Sequence, residues 1–170
     1  DYVSFPEHII RKWKSGIITH THFSDLLRVQ LLVTHGGIWL DSTVLVTEGC
    51  LPSYVDDSWL FFFQILKPGL NAHSLTISSW AMSSAKNNWL LEVARDFLFK
   101  YWERKNSLYD YFLFHLVICA LLELYPEARK KIERSCNSNP HLLQLEMHND
   151  FRQERWNSIT KQTSVHKLTY

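Results

Sequence analysis

Cysteine is scarce in this chain: Cys50, Cys119 and Cys136 are odd in number and show no CxxC spacing. That excludes a disulfide framework and a thiolate metal knuckle, and it suits reduced structural thiols in a cytosolic protein. An excess of charge of either sign is also lacking, with 18 Lys and Arg against 17 Asp and Glu. A balanced surface offers no electrostatic footprint for nucleic acid or for an acidic polymer. Long apolar runs are absent too. The most apolar stretch, 111–122, is about a dozen residues and carries His115, whereas a spanning helix needs about 20. The first fourteen residues mix charges with short apolar pieces and lack the h-region and cleavage site of a signal peptide, so no export is implied. No internal repeat and no low-complexity tract interrupts the chain.

What is present is ample apolar content, 46% of 170 residues, enough for one domain with a buried core. Pro6 and Glu7 open a short predicted helix through Lys14, which Gly16 is placed to stop. Over 21–35 the apolar residues Phe23, Leu26, Leu27, Leu31 and Val33 recur near helical spacing, and Gly36 and Gly37 end the pattern. Thr21 or Ser24 is expected to cap that helix, which accounts for the polarity of the His20 and His22 region without a metal. The pieces 38–40, 44–46, 59–65 and 75–82 read as strands of one small mixed sheet, with a turn at Pro68 and Gly69. The second half reads as helical over 88–103 and 107–124, after Pro126, and around 150–159. The tail from Ser164 reads as a strand or an ordered loop. His115 is expected in the core, and Asp56 with Asp57 in a turn.

Three features crowd together in sequence: Asp25 and Arg28 in SDLLR, the GGIWLD stretch from Gly36 to Asp41, and the DST triplet ending in Thr43. Asp25 and Arg28 are three apart and share one helix face, where a carboxylate can accept hydroxyl protons and a guanidinium can grip phosphate or sugar oxygens. Taken alone they read as an ordinary solvated i,i+3 ion pair. Asp41, Ser42 and Thr43 fall between two β-prone pieces, at a strand end, where α/β sheets place their ligands. Neutralising Asp41 is therefore expected to remove function and spare the fold.

The whole string SDLLRVQLLVTHGGIWLDSTV resembles the sugar-binding region of glycosyltransferases that carry a DXD motif, and is especially similar to the capsular polysaccharide synthesis family. Weaker similarities are SSW ending at Trp80, YW at Tyr101 and Trp102, DYF from Asp110, and HKLTY at the end. The resemblance implies an α/β, GT-A-like core related to the Rossmann fold, with 1–170 as a single glycosyltransferase domain. It implies transfer of a hexose from a nucleotide-diphosphate donor to a growing bacterial glycan, with retention. It also implies a cytoplasmic protein, at most peripheral to membrane-bound polysaccharide machinery, with a nucleotide sugar and a glycan acceptor as partners. On the same ground Asp25 and Arg28 would hold donor-sugar hydroxyls, Gly36 and Gly37 would shape the approach, Trp39 would stack near base or sugar, and Asp41 would meet ribose or metal. Lys167 would contact the diphosphate. Asp110 is either a helix cap or an acceptor-side general base.

Relative to the wider DXD-type group, Thr43 stands where a second Asp usually ligates the cation; the capsular family's version commonly ends in D-[AS]-T. A neutral hydroxyl is a weaker donor toward Mn²⁺ or Mg²⁺. The expected divalent cation would then rest on Asp41 and Thr43, with His166 as the compensating ligand unless it is an ordinary tail residue. The chain also reaches SDLLR within about 25 residues, too soon for the opening βαβ unit of a GT-A enzyme, so the sequence reads as a fragment lacking that start. One rival is a noncatalytic relative that binds a sugar or a partner enzyme. The other, a metal-dependent hydrolase, lacks any HExxH-like spacing.

Overall fold

In a computed structural model the described residues are 2–48, 51–56, 58–65 and 76–169, without the side chains of Tyr54 and Asp56. Cys50, Asp57 and the expected turn at Pro68 and Gly69 lie outside them. The described residues are mixed α/β, with 49% helix and 16% strand. It divides into two compact units, each built from two segments: Asp1–Gly37 with Ser84–Lys131, and Ile38–Ser83 with Ile132–Tyr170.

The first unit is helical. α1 (Glu7–Lys14) and α2 (His20–His35) come from its first segment, and α4 (Trp89–Arg104), α5 (Leu113–Leu124) and α6 (Pro126–Lys130) from its second. α4 packs on α1, α2 and α5. The apolar positions that drive this, Leu26, Val29, Val33, Leu90, Leu98 and Trp102 among them, are buried; their i, i+3/i+4 recurrence is the amphipathic stripe that makes a helix stable in a protein. Lys12 is buried as well. Its ammonium donates to the carbonyls of Trp102, Glu103 (3.4 Å) and Lys105 (2.8 Å), satisfying acceptors that the C-terminus of α4 cannot pair internally. Asn88 caps the other end of α4 by accepting from Leu90 and Leu91.

Two boundaries differ from expectation. The cap of α2 is Thr19, whose hydroxyl accepts from the backbone of His22; Thr21 and Ser24 already lie inside the helix. α5 starts at Leu113 and not near residue 107, because Asp110 closes a turn first: its carboxylate accepts from Phe112 N (2.7 Å) and its carbonyl from Leu113 N (3.1 Å). Gly36 ends α2 at φ +70°, and a Cβ there would meet Lys86 N at 2.7 Å and Ser84 O at 3.0 Å. Only glycine permits both that backbone and that approach.

The second unit holds the strands. β1 (Gly37–Leu40), β4 (Ile77–Ser84) and β3 (Leu60–Gln64) form a three-stranded sheet in the order β1-β4-β3, while β2 (Val44–Val46) pairs antiparallel with β5 (Val165–Lys167). Among the described residues two sheets therefore replace the single one expected, because the partner of β2 lies some 120 residues on. α3 (Ser53–Asp56), a 3-10 turn (Asn139–His141), α7 (Leu142–Glu146) and α8 (Gln153–Thr160) complete this unit. Its core gathers Val55, Phe61, Phe63, Trp80, Ala81 and Val165. Trp80 stacks on Phe63 at 4.8 Å between ring centroids and donates its indole N–H to Asn137 (3.0 Å), so its SSW motif does packing duty.

A strand-end candidate site

The β1–β2 connection is a tight turn that presents Asp41. Asp41 N donates to Trp80 O (2.8 Å), fixing the end of β1 against β4, and Val44 N donates to Asp41 O (3.0 Å), closing the turn into β2. Trp39 reaches forward along β1 to donate its indole N–H to Asp41 Oδ1 at 2.9 Å. The antiparallel register opposes Val44 to Lys167, so the Lys167 side chain emerges on the face that carries Val44. Its ammonium lies 3.3 Å from Asp41 Oδ2 and 2.5 Å from Thr43 Oγ1. Leu168 N donates to Thr43 O (3.0 Å), and Thr43 Oγ1 donates to Thr169 O (3.3 Å). A hydroxyl at position 43 thus accepts from a cation and donates to a carbonyl at once, which an ionised carboxylate cannot do.

Burial grades this cluster from inside to outside. The Lys167 side chain is 7% exposed and that of Asp41 28%. An ammonium so deep needs a charged partner, because an unpaired buried charge costs several kcal/mol. Asp41 therefore has a structural duty that its strand-end position alone does not suggest, and its neutralisation is expected to cost stability.

His166 sits differently. It opposes Leu45 in the ladder, so it points to the other face of β5 from Lys167. It is fully buried, with Nε2 3.2 Å from Thr47 Oγ1. Burial holds its pKa below the ordinary histidine value, against a smaller opposing pull from the Thr163 backbone.

This arrangement can be tested as a cation site. Asp41 offers a charged oxygen and Thr43 a neutral one, the Lys167 ammonium stands between them, and His166 faces away. Among the described residues no group of three His, Cys, Asp or Glu side chains is placed to hold a metal. The residues present do not fit a divalent cation held by the protein, which would want several hard oxygens.

The other motif residues belong to the helical unit. Asp25 and Arg28 form an ion pair of 3.0 Å on α2, and Arg28 also donates to Ser24 Oγ at 3.3 Å. Both are buried, at 8% and 6% exposure. Gly36 and Gly37 follow directly, and exposed Asp110 stands before α5. His22 is engaged by Thr19 Oγ1 (2.7 Å) and Tyr111 O (3.3 Å), and His20 accepts from the Trp13 indole (3.4 Å). Among the described residues Cys119 and Cys136 are not joined in a disulfide. Among the described residues no helix is long and apolar enough to cross a membrane.

A strand-end acid faced by a lysine from a distant antiparallel strand thus sits in a mixed α/β protein. The family model for capsular polysaccharide synthesis protein matches residues 1–170, and the chain belongs to that family. No curated protein matches the chain significantly, and neither does any solved structure.

Proposed function

We propose that the chain is a nucleotide-sugar-dependent glycosyltransferase of capsular polysaccharide synthesis on a GT-A-like scaffold. The donor diphosphate meets the Asp41, Thr43 and Lys167 cluster. The observation that carries this reading is the deeply set Lys167 ammonium, held at a strand end by the more exposed Asp41 carboxylate 3.3 Å away.

In the free protein the two charges satisfy each other. An arriving diphosphate offers Lys167 stronger, more numerous anionic oxygens, and Asp41 is then released to accept hydroxyl protons from ribose or sugar. As the bond between the anomeric carbon and the leaving phosphate breaks, negative charge grows on that phosphate. An ammonium already in place offsets it without reorganisation, which is where preorganised electrostatics lowers a barrier. Trp39, tied to Asp41, supplies a flat face beside the donor. By resemblance alone, Asp25 and Arg28 of the helical unit would contact sugar hydroxyls and Asp110 would act as an acceptor-side acid or base; the Lys167 test does not depend on them.

The test is a donor screen with nucleotide sugars of differing base and hexose, reading released nucleoside diphosphate. Turnover with one donor that falls at least about 10²-fold in Lys167→Met supports the proposal. Tight donor binding with no release under any acceptor would instead favour a noncatalytic sugar-binding relative.

A further inference from the structure

The second unit contains a cleft that the strand-end cluster does not use. It has a volume of about 460 Å³ and is lined by Thr47, Glu48, Trp156, Asn157, Thr160 and Lys161. Trp156 and Thr160 are spaced i, i+4, as are Asn157 and Lys161, so α8 and its C-cap present the four as one strip. Thr47 and Glu48 follow directly after β2.

The chemistry of this lining is selective. Trp156 offers an aromatic face of the kind that the C–H face of a sugar ring covers. Around it stand an amide, two hydroxyls, one carboxylate and one ammonium, so donors and acceptors are both present and formal charge cancels. Asn157 accepts from Gln153 through its oxygen at 2.8 Å, which orients its NH₂ as a donor. Thr160 donates its hydroxyl hydrogen to Trp156 O at 3.0 Å and keeps lone pairs to accept. A phosphate would find no cationic cluster here, and a hydrocarbon would strand the polar groups. A neutral polyol matches them. Trp156 also lines a separate apolar cleft of about 310 Å³ with Leu45, Leu143, Met147 and Phe151, so its indole is a wall between a polar and an apolar space.

From this lining we infer that the Trp156 cleft is a saccharide-binding subsite, taking a neutral oligosaccharide with one ring against the indole. It is separate from the strand-end cluster. Thr43 and Thr47 flank β2 at its two ends, four residues and about 13 Å of strand apart. A ligand on Trp156 and one on Asp41 therefore do not compete for the same atoms. Naming this ligand the acceptor glycan rests on the glycosyltransferase reading; its binding does not.

The experiment titrates the ¹⁵N-labelled protein with neutral gluco-, galacto- and manno-oligosaccharides of two to four rings, following the indole N–H resonance of Trp156, assigned by its loss in Trp156→Phe. At least one sugar should shift that resonance. Its affinity should fall about tenfold or more in Trp156→Ala and measurably in Asn157→Ala, an exposed position whose loss does not threaten folding. Asp41→Asn should leave saccharide binding in place while weakening nucleoside-diphosphate binding, so that failure of one site is read apart from failure of the other. The inference is overturned if no sugar of the panel moves the Trp156 resonance. It is equally overturned if sugar affinity is unchanged in both Trp156→Ala and Asn157→Ala, or if nucleoside diphosphates displace the sugar.

Discussion

Replacing Asp41 by Asn keeps the shape of the side chain and removes its charge, and the geometry around it sets the cost. Two donors converge on the carboxylate, Trp39 on Oδ1 at 2.9 Å and Lys167 on Oδ2 at 3.3 Å. Asn has one acceptor oxygen, so whichever donor it satisfies, its NH₂ faces the other. At an effective dielectric near 20 the lost attraction between Asp41 and Lys167 is gross, on the order of 5 kcal/mol. Part of that is returned because Asp41 is 28% exposed and water screens it. Lys167 still has the Thr43 hydroxyl. A net loss of about 1–3 kcal/mol is expected, the range for a hydrogen bond to a charged group with one partner left buried. Urea unfolding followed by tryptophan fluorescence measures it for Asp41→Asn, Lys167→Met and the double variant. The double variant should be less destabilised than the sum of the singles by about 1 kcal/mol or more, because removing both charges leaves no orphan. Nucleoside-diphosphate affinity should fall in both singles. If Asp41→Asn unfolds at the wild-type urea concentration and the cycle is additive, the pairing that anchors this site is wrong.

Arg28→Lys should destabilise the helical unit by about 1–3 kcal/mol, since one ammonium cannot reproduce both the Asp25 pair and the Ser24 contact in a buried setting; an unchanged unfolding midpoint refutes this. Gly36→Ala should cost about 1–3 kcal/mol from its positive φ alone, and more from the clash with Lys86 N and Ser84 O; a drop in melting temperature of under a degree would contradict it. His166 is held neutral by burial, so the unfolded chain takes up its proton first as pH falls. Its contribution is complete above about 6.5, the unfolded value, and declines as pH drops toward the lower folded value. His166→Gln should flatten the fall in urea midpoint between pH 7 and 5, and an identical slope in both proteins argues against it. Mn²⁺ alone should bind no tighter than about millimolar, as one carboxylate and one hydroxyl imply; micromolar affinity by calorimetry without nucleotide would overturn the donor-set argument.

Local signals reached as far as local forces do. The end of α2 was legible because Gly36 supplies a φ of +70° that other residues resist. The helix read over 88–103 forms at Trp89–Arg104, one residue later at each end because Asn88 is its cap. The start of α5 was not legible, since 107–112 carries enough apolar residues to imitate a helix while Asp110 diverts the backbone into a turn. The turn at Asn139–His141 and α7 left almost no trace beyond Pro140, being too short to show a period. Trp156 was passed over for a related reason: a single aromatic in a short polar helix has no pattern to announce it, and only folding sets Thr47 and Glu48 beside it.

The strand-end cluster shows where such reading must stop. From sequence, Thr43 weakens a cation site, His166 is the compensating ligand and Lys167 a diphosphate contact. What brings the Lys167 ammonium, 124 residues further on, to Thr43 is the pairing of β5 with β2. A ladder of three residues on each side has too little side-chain pattern to specify its partner. Its register nevertheless decides everything about the site, because a slip by one residue would exchange Lys167 for His166 on the Asp41 face. The side chain that faces Thr43 is thus set by the register at position 167. A second carboxylate at 43 would lose the hydrogen bond to Thr169 O and repel Asp41, whereas threonine lets one ammonium bridge both side chains. Thr43→Asp is therefore expected to weaken diphosphate binding in chelator, by neutralising Lys167, and to tighten Mn²⁺ binding. Calorimetry of both ligands on that one variant would decide whether threonine here is a lost metal ligand or the partner that a lysine requires.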